Sequence, residues 1–348
     1  MNTQPTLSFD LLTHIGTFLN PNAKWIYTTA GYFYYNERIY LAGALRDKHL
    51  LQFYIQRDGR GNASLSITLT GNLPFLRHLR RVVGCPWNEE TCEAAAYRGD
   101  LLILKWLRSE GCPWDNDTCD AAARGGHLEV LKWLRSEGCP WNERTFEAAT
   151  EGGNLEMVQW LRNKGCPWNE ELCFYAACYG HVEVLMWLRS EGHPWKEEIC
   201  CYAACQYGHL EVLKWIRSEG CPWYEDACYN AAKGGQLEVL KWLRSEGCPW
   251  DRRTCYAAAE SGHLEVLKWL RSEGCPWNEG TCSAAAEGGH LEVLKWLRSE
   301  GCPWNEMTFY FAAQGGHLEM LKWLRSECFQ RGDMDMLRAL DDIERHVY

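Results

Sequence analysis

The chain has no run of five or more basic residues. Its 36 Lys and Arg are outweighed by 46 Asp and Glu, for a formal net charge of −10. Phosphate neutralisation needs a Lys/Arg surplus on some face, so this balance argues against a general nucleic-acid binder. Long apolar runs are also missing, and none approaches the ~20 residues that cross a bilayer. The opening MNTQPTLSFDLL has neither a basic leader region nor an apolar core, so no secretory signal is read there. The expectation is an intracellular chain, in cytoplasm or nucleus. Enzyme signatures are absent too: no Gly-x-x-x-x-Gly-Lys-Ser/Thr, no His-Glu-x-x-His and no Gly-x-Ser-x-Gly occurs. No catalytic residue, cofactor or metal site is expected, and the chain is not read as an enzyme.

What is abundant is a repeat. Pro86, Pro113, Pro140, Pro167, Pro194, Pro222, Pro249, Pro276 and Pro303 are each followed by Trp, at a step of 27 residues broken only by 28 between 194 and 222. A fixed period of this size marks a solenoid, in which each unit buries its apolar face against the next. Length then measures how many units there are, not how many globular domains.

Residues 112–138 show one unit. Pro113 makes a turn and cannot sit inside a helix. Asp115 or Asn116 can cap a first helix through Thr118 and Ala123 that stops at Gly125-Gly126. A second helix starts near His127, with Leu128, Val130, Leu131, Trp133 and Leu134 forming a wide apolar stripe. Lys132 and Arg135 are expected to face water, and Gly138 ends the helix. The fold class read from this pattern is all-α, a helix-turn-helix repeat solenoid. The first helix is too short to hold alone. Its Ala pairs let neighbouring helices approach closely.

Nineteen cysteines would fit a disulfide scaffold, yet they follow the period. One column (Cys85, Cys112, Cys139, Cys166, Cys221, Cys248, Cys275, Cys302) precedes the prolines, with His193 once in its place. A second (Cys92, Cys119, Cys173, Cys200, Cys228, Cys255, Cys282) lies six residues after them, with Phe146 and Phe309 as substitutes. Phe in that column asks for apolar volume, so small core residues are expected rather than metal ligands or disulfides. His127, His181, His209, His263, His290 and His317 share their column with Asp100, Asn154 and Gln236. That set suits hydrogen bonding at a helix start better than zinc. The two Trp columns are read as core rather than as a stacking ladder for a ligand.

The Gly-His-Leu-Glu-Val-Leu-Lys-Trp-Leu-Arg-Ser-Glu-Gly segment resembles the second helix of an ankyrin repeat, and Thr118 to Gly126 resembles its first helix. The usual repeat has about 33 residues. About six are missing here after Gly138, so the β-hairpin finger should shrink to the Cys-Pro-Trp turn. Short units of this type resemble those of ankyrin proteins from giant DNA viruses, oomycetes and algae. The resemblance spans 85–327 as nine repeats. Faded copies occupy 41–84, and a capping helix is expected over 328–348.

The N-terminal segment 1–40 is different. Leu7, Leu11, Leu12, Ile15, Leu19 and Pro21 resemble the opening of an F-box, although Ser8 stands where that pattern has Pro. The resemblance implies binding to the adaptor of a cullin ubiquitin ligase. The plain alternative is an amphipathic helix that caps the stack.

In an array of near-identical units, positions that vary carry specificity. The seventh and eighth residues after each Pro vary. They are acidic in the first three units (Glu93, Asp120, Glu147) and aromatic in the middle (Phe174, Tyr175, Tyr202, Tyr229 and Tyr256, with Asn230 beside Tyr229), with Tyr179 and Tyr207 near the same rim. The family resemblance places these positions on the concave surface. The expected function is a monomeric protein-interaction scaffold with this strip as its partner site, the alternative being an F-box-type substrate adaptor. Local gap-filling around the extra residue near Gln206 explains the aromatics equally well from sequence alone.

Overall fold

A computed structural model of the protein describes residues 68, 71–78, 80–81, 84 and 86–347. The F-box-like positions Leu7, Leu11, Leu12, Ile15, Leu19 and Pro21 lie outside them, as do most of the faded repeats and Cys85. The chain divides into two compact bodies, Met1–Trp141 and Asn142–Tyr348. The described residues form 20 α-helices and no strand. Each body has the architecture of an all-α helix-turn-helix repeat solenoid.

Local chemistry sets the helix ends. Asp115 is the cap of the first helix Asn116–Arg124. Its extended backbone lets a carboxylate oxygen accept from the Asp117 amide at 3.1 Å. Asn142, Asp251 and Asn305 cap their helices in the same way. The second helix Leu128–Ser136 ends through Gly138, whose φ of +80° turns the chain so that the Cys139 amide donates back to the Leu134 carbonyl at 2.9 Å. The ninth unit's second helix runs longer, Leu318–Arg331, and one more helix, Met334–Val347, follows.

The core is a line of small residues on the first helices facing branched ones on the second. Cys119, Ala122, Ala123, Leu131 and Leu134 are fully buried, and Cys255, Ala258, Leu267 and Leu270 repeat them in the second body. Each large side chain contributes roughly 1.5–3 kcal/mol of burial.

Three side-chain columns differ from expectation. Of the described tryptophans Trp106 is buried in the core, and the others are not. Trp114, Trp133, Trp250 and Trp269 are half-buried and meet edge to face within their units, at 5.8 Å for Trp114–Trp133 and 5.7 Å for Trp250–Trp269. Arg135 does not face water freely. Its guanidinium lies 4.0 Å from the ring centre of Trp141, and Nη1 donates to the Cys139 carbonyl. Arg108 on Trp114 and Arg298 on Trp304 repeat the joint at 4.1 and 4.0 Å. The Pro-Trp turn is thus clamped between its own second helix and the last turn of the unit before.

The third column is histidine. Asp100 and Asn154 do cap their helices, accepting from Ile103 and Met157 amides at 3.0 Å. The histidines at helix starts make no such bond. Instead His127 Nε2 donates to the Tyr97 carbonyl at 3.0 Å, His181 to Glu151 at 2.8 Å and His209 to Cys178 at 2.7 Å, each in the preceding unit. Reach to the preceding unit, not hydrogen bonding at the helix start, explains the preference, and Gln236 Nε2 in the same column likewise donates to the Gln206 carbonyl at 3.2 Å.

The first cysteine column also joins units. Cys112 Sγ donates to the Asn88 carbonyl at 3.4 Å and Cys139 Sγ to Asp115 at 3.2 Å. His193 does the same job with Nε2 on the Asn169 carbonyl at 2.8 Å, while its Nδ1 lies 3.5 Å from Cys173 Sγ. The Cys119 and Cys139 thiols share a hydrogen bond, as do Cys255 and Cys275. Every described cysteine is free, and all but Cys178 are buried. Among the described thiols, Ellman's reagent should therefore label Cys178 first in the native protein and reach the others only on unfolding. Fast labelling of all of them in native buffer would contradict this packing.

Candidate partner-binding surface

The variable positions of the first helices meet the turn of the following unit. Glu147 accepts a hydrogen bond from Asn169 Nδ2, and Ser283 Oγ lies 3.3 Å from Asn305 Oδ1. The same contact at the first unit brings two carboxylates together, because Asp115 stands where Asn169 and Asn305 stand. Glu93, Asp115 and Asp117 place carboxylate oxygens within 4.8 Å of one another. Burial first, then repulsion from Asp115 and Asp117, pushes the Glu93 carboxyl up to about 7. A shared proton relieves the repulsion, as would a cation held by these three residues.

This has a consequence for pH. Glu93 titrates near 4.3 in the unfolded chain and near 7 when folded, so the folded state binds the extra proton between those values. The group's contribution is fully present below pH 4 and is lost as pH rises through 7. Asp115→Asn keeps the helix cap and supplies Glu93 with the amide that Glu147 already has. Thermal melts should show little difference from wild type at pH 4 and a gain of about 2 °C at pH 8, the effect of ~1 kcal/mol from one hydrogen bond. An unchanged or larger gain at pH 4 would contradict the assignment.

In the middle of the array the variable face turns aromatic. Phe174 and Tyr175, half-buried on helix Leu172–Tyr179, meet at 5.7 Å. Tyr202 on helix Glu197–Tyr207 meets Tyr224 edge to face at 6.0 Å. Tyr229 and Asn230 on helix Ala227–Lys233 and Tyr256 on Arg252–Glu260 are half-buried as well. Tyr179 and Tyr207 stand at the C-terminal ends of their helices, 50% and 53% exposed. They lie away from the first-turn glutamates, and Tyr179 stacks on His181.

The tyrosine hydroxyls share one kind of partner. Tyr175 donates to Glu171 at 3.4 Å, Tyr202 to Glu198 at 2.8 Å, Tyr224 to Glu197 at 3.5 Å and Tyr256 to Glu287 at 3.2 Å. Burial and these carboxylates raise all four phenols, Tyr224 and Tyr256 to about 12. Tyr224 and the glutamates escape a reading confined to the seventh and eighth positions. The signal for Tyr224 is that it stands where every other unit carries Asn, Asp or Lys. Cys201, at a variable position, is buried and takes no part.

Half-buried rings in consecutive units line the variable face of this helical-repeat protein. The comparisons agree at that level. Family models described as ankyrin repeats match residues 200–281 (3 copies) and 282–325 (many copies). Residues 200–325 are thus similar to ankyrin repeats. Among solved structures, the human ASB11 ankyrin repeat domain is similar at 22% identity over 53% of this chain and 98% of that one, with a TM-score of 0.40. The pentatricopeptide repeat protein PPR10, in complex with an 18-nt psaJ RNA element, is similar at 12% identity over 88% of this chain and 56% of that one, with a TM-score of 0.38. Neither likeness bears on what this chain binds. No curated protein matches it. No helix among the described residues is long and apolar enough to cross a membrane.

Proposed function

We propose that the chain is a non-enzymatic scaffold that binds a protein partner on the face of its first helices, the concave face in the ankyrin resemblance, centred on Phe174 to Tyr256. The observation that carries this reading is the change of chemistry at one geometric position. Where other units place Ala94, Ala148 or Ala257, buried against their neighbours, the middle units present Tyr175, Tyr202 and Asn230 as half-buried polar rims. Tyr is enriched at interfaces because it offers a large rigid area with a polar tip. The hydroxyls end on glutamates that are exposed or half-buried, which favours a surface role over gap-filling. The acidic balance of the chain weighs against nucleic acid as the occupant. The F-box-type adaptor remains a proposal that rests on residues 7–21 alone.

The test is Tyr175→Ala, Tyr202→Ala and Tyr229→Ala combined, in the full chain. Affinity capture from cells, read by mass spectrometry, should lose its main partner, since an interface centre forfeits 2 kcal/mol or more per anchor. Unchanged capture by a folded triple variant would remove the strip as the site.

A further inference from the structure

The hydrogen-bond polarity of the strip specifies its occupant. Each phenol proton of Tyr175, Tyr202, Tyr224 and Tyr256 is spent on a glutamate, so hydroxyl lone pairs and the second carboxylate oxygens are what remain for a partner. The amides nearby point inward as well: Asn169 Nδ2 donates to Glu147 and Asn230 Nδ2 to the Asp226 carbonyl. Among the cations near the strip, Arg253 is held by Asp226 and Asp251 at 2.8 and 2.9 Å, while Lys196, Lys233 and Arg252 are exposed and outnumbered by the carboxylates of Glu170, Glu171, Glu197, Glu198, Glu225 and Asp226. The surface therefore offers acceptors, negative charge and aromatic faces together.

Resting on the protein-binding reading above, we propose that the occupant is an extended cationic segment of a protein, with Arg or Lys side chains on the Tyr–Glu pairs of successive units. Guanidinium and ammonium groups supply the donors and charge that the strip lacks, and they sit favourably over tyrosine rings. Neighbouring helices pack ~8–10 Å apart, and an extended chain rises ~3.3 Å per residue. A basic residue at every third position therefore keeps step with the units.

Fluorescence anisotropy with the full chain tests this, using labelled (Arg-Gly-Ser)5 and (Gln-Gly-Ser)5 as probes. The arginine peptide should bind at least tenfold more tightly than the glutamine peptide. Glu171→Gln/Glu198→Gln/Glu287→Gln should weaken it tenfold or more. Glu238→Gln/Glu265→Gln/Glu292→Gln, the same charge change on the second helices, should leave it unchanged. Circular dichroism confirms that each variant is folded. No preference for the arginine peptide, or equal loss in both glutamine variants, overturns the proposal, the latter by showing attraction to net charge alone. If the peptide survives the strip glutamines but is lost with Tyr175→Ala/Tyr202→Ala/Tyr229→Ala, the charge proposal falls and the strip stands. If it survives both sets, both readings fall.

Discussion

Phe146→Ala should cost about 3–5 kcal/mol, the largest loss expected from one substitution in the array. Phe146 is fully buried on helix Glu143–Glu151, with its ring 5.5 Å from Trp168. Removing it leaves a void the size of a ring, and helices joined by turns of a few residues have little slack to close it. Phe146→Leu should retain most of the stability because it keeps most of the volume. The damage should also be local, since a repeat array is stabilised by nearest-neighbour interfaces. Hydrogen exchange should accelerate in Glu143–Glu151 and Leu155–Asn163 and stay unchanged in the distant Glu279–Glu287. A loss under 1 kcal/mol by chemical denaturation would mean that this pocket collapses freely, and the packing described above would be wrong.

Gly235→Ala should cost about 2–3 kcal/mol for two separable reasons. Gly235 holds φ at +72°, which costs an L-residue roughly 1–2 kcal/mol. An added methyl would also lie 2.7 Å from Cε1 and Nδ1 of His263, inside any real contact distance. The imidazole must then swing away and give up its 3.1 Å bond to the Lys233 carbonyl, worth about 1 kcal/mol. His263→Ala alone loses that same bond. In the double variant the clash has already gone, so the two losses should sum to less than their parts by about 1 kcal/mol, a positive coupling that a double-mutant cycle reads directly. Strict additivity would show that the imidazole does not rest on this glycine.

The period and the caps were legible without coordinates. Nine Pro-Trp pairs fixed the unit, Asp115 and its equivalents marked helix starts, and the Gly pairs marked ends, because each is a local backbone requirement. What escaped reading is contact between units. The histidines looked like caps because Asp100 and Asn154 in the same column are caps, yet an imidazole reaches a carbonyl some 30 residues back that spacing alone does not reveal. Arg135 looked solvated because it lies on the polar side of its own helix, and its Trp141 partner belongs to the next turn. In the candidate surface, Tyr175, Tyr202 and Tyr256 stood out as departures from the repeat. Their glutamates did not, since Glu171, Glu198 and Glu287 are ordinary first-turn or helix-end residues until the fold brings a phenol to each.

The thiol bonds of Cys112 and Cys139 to carbonyls span 24 residues and the imidazole bonds of His127 and His209 span 30 and 31, so each of these reaches one unit back and no further. A genetic event that excises or copies one 27-residue cassette joins surfaces that already fit, and each donor finds a familiar carbonyl waiting. The lineage can thus lengthen or shorten its array by recombination, leaving the few odd tyrosines as cargo that travels with whichever copies survive.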